Sequence, residues 1–158
     1  MKASWLLTVL SLCSLCARAQ QAPFPYPPDI PDAKVEVYKT IGDSRLNLYI
    51  FNPPESAPSA RRAAIVFFFG GGWESGSPVQ FAAQCRNIAS LGMVAITADY
   101  RVLSRQHSTI VDSVRDAKSA IRYVRENAAR LGIDPQRIAA GGGSAGGHLA
   151  AASGLRQK

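Results

Sequence analysis

The stretch GGGSAGGHLAA, residues 141–151, decides how the rest of the chain is interpreted. It places one serine among glycines, and it matches two motifs. As G-x-S-x-G, with Ser144 between Gly142 and Gly146, it predicts a sharp turn that presents a nucleophilic serine. As G-x-G-x-x-G, beginning at Gly141, it predicts a loop that binds the phosphates of a dinucleotide. The strands and helices around the stretch bear on this choice.

Apolar strand patterns alternate with amphipathic helix patterns along the chain. Segments 33–40 and 44–51 alternate apolar and polar residues on either side of a Gly-Asp turn, which predicts a β-hairpin. The patterns that follow predict strand, helix, strand, helix, strand and helix at residues 63–69, 78–92, 93–101, 109–132, 133–143 and 144–154. This order predicts an α/β fold, in which helices cover both faces of a mostly parallel sheet and the antiparallel N-terminal hairpin forms one edge.

A nucleophilic Ser144 needs the geometry that such a turn provides. A serine hydroxyl is a poor nucleophile and must be exposed to a base. Small residues two positions before and after it, Gly142 and Gly146, let the strand and the helix approach closely. The same turn aims the backbone amide of Ala145 at an oxyanion that forms near the serine.

A second glycine cluster lies in FFFGGGWESGSP, residues 67–78, directly after the first buried strand. An acyl-transfer serine needs at least two backbone donors for its oxyanion, and one usually comes from a glycine loop after an earlier strand. We select Gly71 and Gly72 as these donors. A dinucleotide-binding site does not require this second loop. Its glycine motif normally follows the first strand of the sheet, whereas Gly141 follows the fifth predicted strand. The two loops favour a hydrolase, and a nucleotide-binding α/β protein remains an alternative.

Three longer segments carry a resemblance to a known family. FFFGGGW, GMVAITADYRV and DAKSAIRYVRENAARLGIDPQRIAAGGGSAGGHLAA together resemble exported α/β-hydrolase-fold esterases. The nearest group contains the acetyl-xylan, feruloyl and other carbohydrate esterases, with the hormone-sensitive-lipase-like carboxylesterases further off. The resemblance covers residues 34–154.

Carried over by position, the resemblance implies that Ser144 is the nucleophile and that Gly71, Gly72 and Ala145 supply the oxyanion donors. It implies a serine carboxylic-ester hydrolase that works through an acyl-enzyme on Ser144. The substrate is expected to be a small-molecule or polysaccharide ester, with deacetylation or debranching of polysaccharide as the narrower form. No cofactor or metal is implied.

The chain departs from the family pattern at Phe69 and after Ser144. Many relatives carry a histidine before the three glycines, and because a phenyl ring cannot hydrogen-bond the loop, packing must hold it here. In this fold the catalytic residues follow the order Ser, Asp or Glu, then His. The chain ends fourteen residues after Ser144. We therefore expect an incomplete fold that lacks its C-terminal strands and, with them, the triad acid and histidine. Such a chain is expected to be inactive alone. The alternative is a truncated or degenerate chain without catalysis.

Neither histidine in the second half of the chain is expected to replace that base. His148 lies four residues after Ser144 on the predicted helix, where we expect it to point into helix packing. His107 lies in a polar loop before the long helix. Asp99 and Asp112 are expected to be a turn residue and a helix-start acid.

The N-terminal 33 residues divide into two predicted segments. Residues 1–19 combine a lysine, a short apolar run and a small-x-small end, which predicts a secretory signal peptide and a secreted or periplasmic protein without a stable membrane anchor. An uncleaved anchor is the alternative. Residues 20–33 are proline-rich and predict an extended linker or surface arm rather than part of a core, so that the domain occupies residues 34–158. Cleavage leaves Cys85 as the remaining cysteine, expected to be a small buried apolar residue.

The charge pattern predicts an ordinary solvated surface. The formal net charge is +7, and it falls to +5 when Lys2 and Arg18 leave with the signal peptide. A basic stripe on the predicted long helix is interspersed with Asp116 and Glu126, and it lies opposite an apolar stripe; the basic residues are Arg115, Lys118, Arg122 and Arg125. We expect no nucleic-acid partner, because the aromatic residues that would stack on bases are missing from this stripe.

Overall fold

The computed structural model describes residues 25–54 and 61–155, so the predicted signal peptide lies outside the described residues. Five strands are present there: β1 (Lys34–Ile41), β2 (Ser44–Phe51), β3 (Arg62–Phe68), β4 (Val94–Ala98) and β5 (Ile133–Gly142). The helices are α1 (Ala82–Ser90), which follows a 3₁₀ turn at Pro78–Phe81, α2 (Leu103–Gln106), α3 (Ile110–Glu126) and α4 (Ala145–Gly154). No helix within these segments is both long and apolar enough to cross a bilayer.

The five strands form one mixed sheet in the order β1-β2-β4-β3-β5. β1 and β2 pair as an antiparallel hairpin at one edge, and β2 also runs antiparallel to β4. β3 pairs in parallel with β4 and with β5. The predicted α/β fold with an antiparallel N-terminal hairpin at one edge is confirmed.

Helices cover both faces of the sheet, as predicted. Val66 and Phe68 of β3 belong to the core cluster that contains residues of α3 and α4. Ile65 and Phe67, which alternate with them and so point to the other face, pack on the cluster that contains Cys85 of α1. Cys85 is fully buried and is a free cysteine, as expected, and burial raises its pKa to about 12.

The described part of the proline-rich segment packs into the domain, so the expectation that this segment lies outside the core is wrong for Ile30. Ile30 is only 4% exposed and lies in the same cluster as Cys85. The guanidinium of Arg86 on α1 donates to the carbonyl of Pro31 at 2.9 Å. The chain therefore contributes to the core before β1 begins.

Helix α3 begins where the sequence predicts and ends earlier. Thr109 and Asp112 form a capping box, which confirms Asp112 as a helix-start acid. The predicted apolar stripe is buried, with Val114 at its edge partly buried. The helix ends at Glu126 rather than near residue 132, and the amide of Asn127 donates to the carbonyl of Tyr123 at 3.0 Å.

The expectation that Asp116 belongs to a solvated surface is wrong. Its side chain is fully buried and accepts hydrogen bonds from Nε and Nη2 of Arg101 at 2.7 and 3.0 Å. Nζ of Lys39 donates to the same carboxylate at 2.6 Å. Asp116 therefore joins α3 to β1 and to the segment after β4, whereas Glu126 is exposed as expected.

Candidate active site

Ser144 lies in the turn between β5 and α4. Its backbone dihedrals are φ 50° and ψ −118°, a conformation that L-residues rarely adopt. Its side chain is exposed, and α4 begins at the next residue, Ala145. The structure thus has the strained strand-to-helix turn that the sequence predicts around this serine.

Gly142 and Gly146, which flank Ser144, have no space for a side chain, because a Cβ at either position would collide with backbone atoms. A Cβ placed on Gly146 would lie 1.9 Å from the carbonyl oxygen of Phe68. A Cβ on Gly142 would lie 2.4 Å from the carbonyl carbon of Gly146 and 2.5 Å from the same Phe68 oxygen. The start of α4 therefore packs directly on the end of β3, which is the close approach that the motif requires.

The glycine loop, residues 70–76, leaves β3 at the same end of the sheet. Gly71 has φ 137° and Gly72 has φ 64°, and a Cβ on Gly71 would lie 2.2 Å from the carbonyl oxygen of Ser75. The amides of Glu74 and Ser75 both donate to the Gly71 carbonyl, at 3.0 and 3.1 Å. Within residues 25–54 and 61–155, no acceptor pairs with the amides of Gly71 and Gly72, so both can bind a ligand.

The serine turn and the glycine loop lie side by side. Phe68, the last residue of β3, is paired in parallel register with Gly142 at the end of β5. A Cβ on Gly70 would lie 2.9 Å from the carbonyl oxygen of Gly143, so the two loops are in contact. Oε1 of Gln80 accepts a hydrogen bond from the Gly70 amide at 2.6 Å and holds the start of the loop.

Ala145 also contributes an amide at this end of the sheet. It is the first residue of α4, so its amide has no partner inside the helix. The structure thus brings together Ser144, Ala145 and the loop that carries Gly71 and Gly72. Their roles as nucleophile and oxyanion donors stay predictions.

Phe69 is held by packing, as expected in the absence of a histidine. It is fully buried, and its ring stacks on Tyr100 with a centroid separation of 4.1 Å. The Tyr100 hydroxyl donates to the Phe69 carbonyl at 2.7 Å. Burial raises the pKa of Tyr100, so the phenol keeps the proton that it donates. No motif assigns a role to Tyr100 from the sequence, although it lies near the end of a predicted buried strand, residues 93–101.

The two histidines differ in their surroundings. His148 is exposed, so the expectation that it points into helix packing is wrong. Its imidazole and the Trp73 ring make an edge-to-face contact, with 5.4 Å between the ring centroids. His107 is the left-handed C-cap of α2. In the described part of the chain, neither imidazole is hydrogen-bonded to Ser144.

Asp99 follows β4 and is fully buried. Its Oδ1 accepts a hydrogen bond from the Tyr100 amide at 2.8 Å, which fits the expected turn role. Burial is the main reason that its pKa is raised to about 6, while the nearby Arg105 guanidinium lowers it. Among the described residues, no three His, Cys, Asp or Glu side chains are grouped to hold a metal ion.

Comparison with known proteins shows that the chain is similar to several esterases. A solved thermophilic esterase from Thermogutta terrifontis, Est2, is 60% identical, with a TM-score of 0.79 over 82% of this chain and 46% of that protein. The same esterase has been solved with propionate bound, with butyrate bound and phosphonylated by sarin. Ethyl acetate hydrolase from Pseudomonas putida is 34% identical over 77% of this chain and 38% of that protein. Carboxylesterase NlhH from Mycobacterium tuberculosis is 33% identical over 85% and 42%.

The chain thus spans about two fifths of the length of the last two relatives. A family model, BD-FAE, matches residues 48–158, which include both glycine clusters and Ser144. The chain therefore belongs to the BD-FAE family, and its fold is the α/β-hydrolase fold of the esterases that it resembles.

Proposed function

We propose that the protein is a serine carboxylic-ester hydrolase. The Ser144 oxygen attacks the ester carbonyl carbon, and its proton passes to a base and then to the departing alcohol. The oxyanion accepts hydrogen bonds from the amides of Gly71, Gly72 and Ala145. Collapse of this intermediate releases the alcohol and leaves an acyl-enzyme, from which water releases the acid and restores the serine.

The observation that carries the proposal is an exposed, strained Ser144 in a turn that contacts the glycine loop, where the amides of Gly71 and Gly72 have no partner among the described residues. A serine held at φ 50° costs on the order of 1–3 kcal/mol, and a turn with a structural role alone could avoid this cost with glycine at that position. The amides of Gly71 and Gly72 supply the donors that a developing negative charge requires. The positive φ values and the missing side chains keep those amides accessible.

The relatives support a short-chain ester as the substrate. The Pseudomonas putida protein is an ethyl acetate hydrolase, and the Thermogutta terrifontis esterase binds propionate and butyrate. Phosphonylation of that esterase by sarin is the reaction expected of an activated serine nucleophile. Because the chain spans only part of these proteins, the activity and the acyl preference of the whole protein are both part of the proposal.

The narrower proposal is an exported enzyme that removes acyl groups from polysaccharide. It rests on the resemblance to carbohydrate esterases and on the signal-peptide pattern of residues 1–19. An exported esterase can reach polymers outside the cell. Trp73, which is partly buried and contacts His148 of α4, offers an apolar surface to a substrate. Release of acetate from acetylated xylan by culture supernatant tests both parts.

Labelling with a fluorophosphonate probe and hydrolysis of p-nitrophenyl butyrate test the central proposal. We expect the protein expressed from its own gene to react with both, and Ser144→Ala to abolish both reactions. Ser153→Ala is the matched control, because Ser153 lies on the same helix and its hydroxyl donates only to the carbonyl of Ala150 at 2.7 Å. If Ser144→Ala labels and hydrolyses as the unmodified protein does, the esterase proposal fails. If the unmodified protein does neither, a fold without catalysis is the better description.

A further inference from the structure

Helix α2 lies directly against the glycine loop. It follows β4, and its first two amides point at carbonyl oxygens of the loop. The amide of Leu103 donates to Trp73 O at 2.9 Å, and the amide of Ser104 donates to Glu74 O at 2.9 Å. The middle of the loop is therefore attached to the segment that leaves the neighbouring strand.

A third bond from α2 comes from the Arg105 side chain. Its Nη1 donates to the carbonyl oxygen of Gly76 at 2.7 Å. Gly76 is the residue at which the loop closes on its own beginning, since a Cβ there would lie 2.4 Å from Gly70 O and 2.6 Å from the Phe69 ring. Arg105 therefore holds the end of the glycine loop against its start.

The guanidinium is itself held in place from two other directions. The ring of Tyr26, in the N-terminal segment, lies 3.9 Å from the Cζ of Arg105, within cation–π distance. Oδ1 of the buried Asp99 is 3.9 Å from Nη2 of Arg105.

These contacts lead, through planar peptide units, to one of the candidate oxyanion amides. Ser104 and Arg105 hold the carbonyls of Glu74 and Gly76 on either side of Ser75. The amides of Glu74 and Ser75 both donate to Gly71 O. That carbonyl shares one rigid peptide plane with the amide of Gly72, so fixing one fixes the direction of the other.

The geometry points to Arg105 as a positioning residue for the oxyanion donors, with Tyr26 as the part of the N-terminal segment that secures it. Arg105 does not touch the reacting atoms. It sets the end of the loop and, through residues 74 and 75, the direction of the Gly72 amide. This inference rests on the proposed esterase function, because it assigns to that site a residue from outside both motifs.

The test compares Arg105→Ala, Arg105→Lys and the matched control Arg125→Ala, an exposed arginine on α3. A misplaced oxyanion donor weakens binding of the transition state more than binding of the ester, so we expect kcat for p-nitrophenyl butyrate to fall about 10- to 100-fold in Arg105→Ala. KM should stay within about twofold. Arg105→Lys keeps a charged donor and should recover most of the rate, and Arg125→Ala should match the unmodified protein.

The rate of phosphonylation by the fluorophosphonate probe is the second readout, since that reaction also develops charge on an oxygen at this site. We expect it to fall in parallel with kcat in Arg105→Ala. If the unmodified protein reacts through Ser144 and Arg105→Ala reacts at the same rate, the role of Arg105 is refuted and the esterase function stands. If the unmodified protein does not react at all, both fail.

A further variant keeps the inference testable if Arg105→Ala does not fold. Tyr26→Leu removes the ring over the guanidinium and leaves every hydrogen bond of the glycine loop in place. Tyr26→Leu should lower kcat by about 3- to 10-fold at an unchanged thermal midpoint, because a loosely held donor loses only part of its effect. Full activity of Tyr26→Leu would refute the inference.

Discussion

Tyr100 holds Phe69 by two contacts at once. The two rings stack 4.1 Å apart with an interplanar angle of 15°, and the Tyr100 hydroxyl donates to the Phe69 carbonyl at 2.7 Å. Both residues are fully buried. Phe69, the residue before the three glycines, is thereby fixed by the segment that leaves β4, the neighbour of β3 in the sheet, without a histidine at that position.

Tyr100→Phe tests the hydrogen-bonding part of this contact. The ring stack survives, but the buried Phe69 carbonyl loses its donor, which should lower the free energy of unfolding by about 1–3 kcal/mol. Because the glycine loop begins there, ester hydrolysis should also slow. Urea unfolding and p-nitrophenyl butyrate assays measure the two effects. Tyr123→Phe is the control for activity, since its hydroxyl donates to Glu36 of β1 rather than to the segment before the glycine loop, and it should leave ester hydrolysis unchanged. Equal effects of the two changes would contradict this account.

Alanine substitutions at the neighbouring residues Gly146 and Gly147 should have opposite effects on stability. Gly146→Ala places a methyl group 1.9 Å from the Phe68 carbonyl, so α4 must shift away from β3, and overpacking of this kind costs about 1–3 kcal/mol or more. Gly147→Ala places its methyl 3.4 Å from the nearest backbone atom, Gly142 O, which is ordinary contact. It should leave stability unchanged or raise it by up to about 1 kcal/mol, because alanine favours the helix. Thermal unfolding of the two variants measures both effects. Equal midpoints would contradict the close approach of α4 to the end of β3.

Much of this site could be predicted because its signals are local. Glycines follow β3 and end β5, and parallel strands that end together bring their loops together, which is why the serine turn and the glycine loop are in contact. The end of α3 could not be predicted, because Ala128 and Leu131 keep a helical spacing of buried residues after the helix has ended. Burial pattern alone does not distinguish a helix from turns that continue along the same face.

The side chains that support the site were missed because their partners are distant in sequence. Arg105 contacts Tyr26 and Gly76, and neither contact leaves a local pattern. Asp116 lies on the buried face of α3, one residue before the buried Ala117, but an acid at that position is indistinguishable from a surface acid until Arg101 is placed beside it.

Asp116 and Glu126 provide a matched pair on α3. Asp116→Ala leaves the Arg101 guanidinium and the Lys39 ammonium without their shared buried partner, which should lower the free energy of unfolding by about 3–5 kcal/mol. Glu126→Ala removes an exposed acid and should change it by less than about 0.5 kcal/mol. Urea denaturation at neutral pH measures both. A change below 1 kcal/mol in Asp116→Ala would contradict the role of this carboxylate.

The raised pKa of Asp99 predicts a pH dependence of stability with a definite sign. Burial raises the pKa of this carboxyl from 3.8 to about 6 in the folded protein. Between these values the folded state holds a proton that the unfolded state has released, so ionisation of Asp99 lowers stability as pH rises from about 4 to 6. The effect should be on the order of 2–3 kcal/mol and complete above that window.

Asp99→Asn removes this titration, and its amide oxygen can still accept the bond from the Tyr100 amide. The difference in unfolding free energy between Asp99→Asn and the unmodified protein should therefore shift in favour of the variant by on the order of 2–3 kcal/mol from pH 4 to pH 8. Asp112→Asn is the control of opposite sign. The capping bonds from Thr109 lower the pKa of Asp112, so its ionised form stabilises the fold above the unfolded pKa, and that stability is lost as pH falls through the lower folded value. Urea unfolding measures the Asp99 difference between pH 4 and pH 8 and the Asp112 difference below pH 4, where the lowered pKa of Asp112 lies. A pH-independent difference for Asp99→Asn would show that this carboxyl is not held in the protonated form by burial.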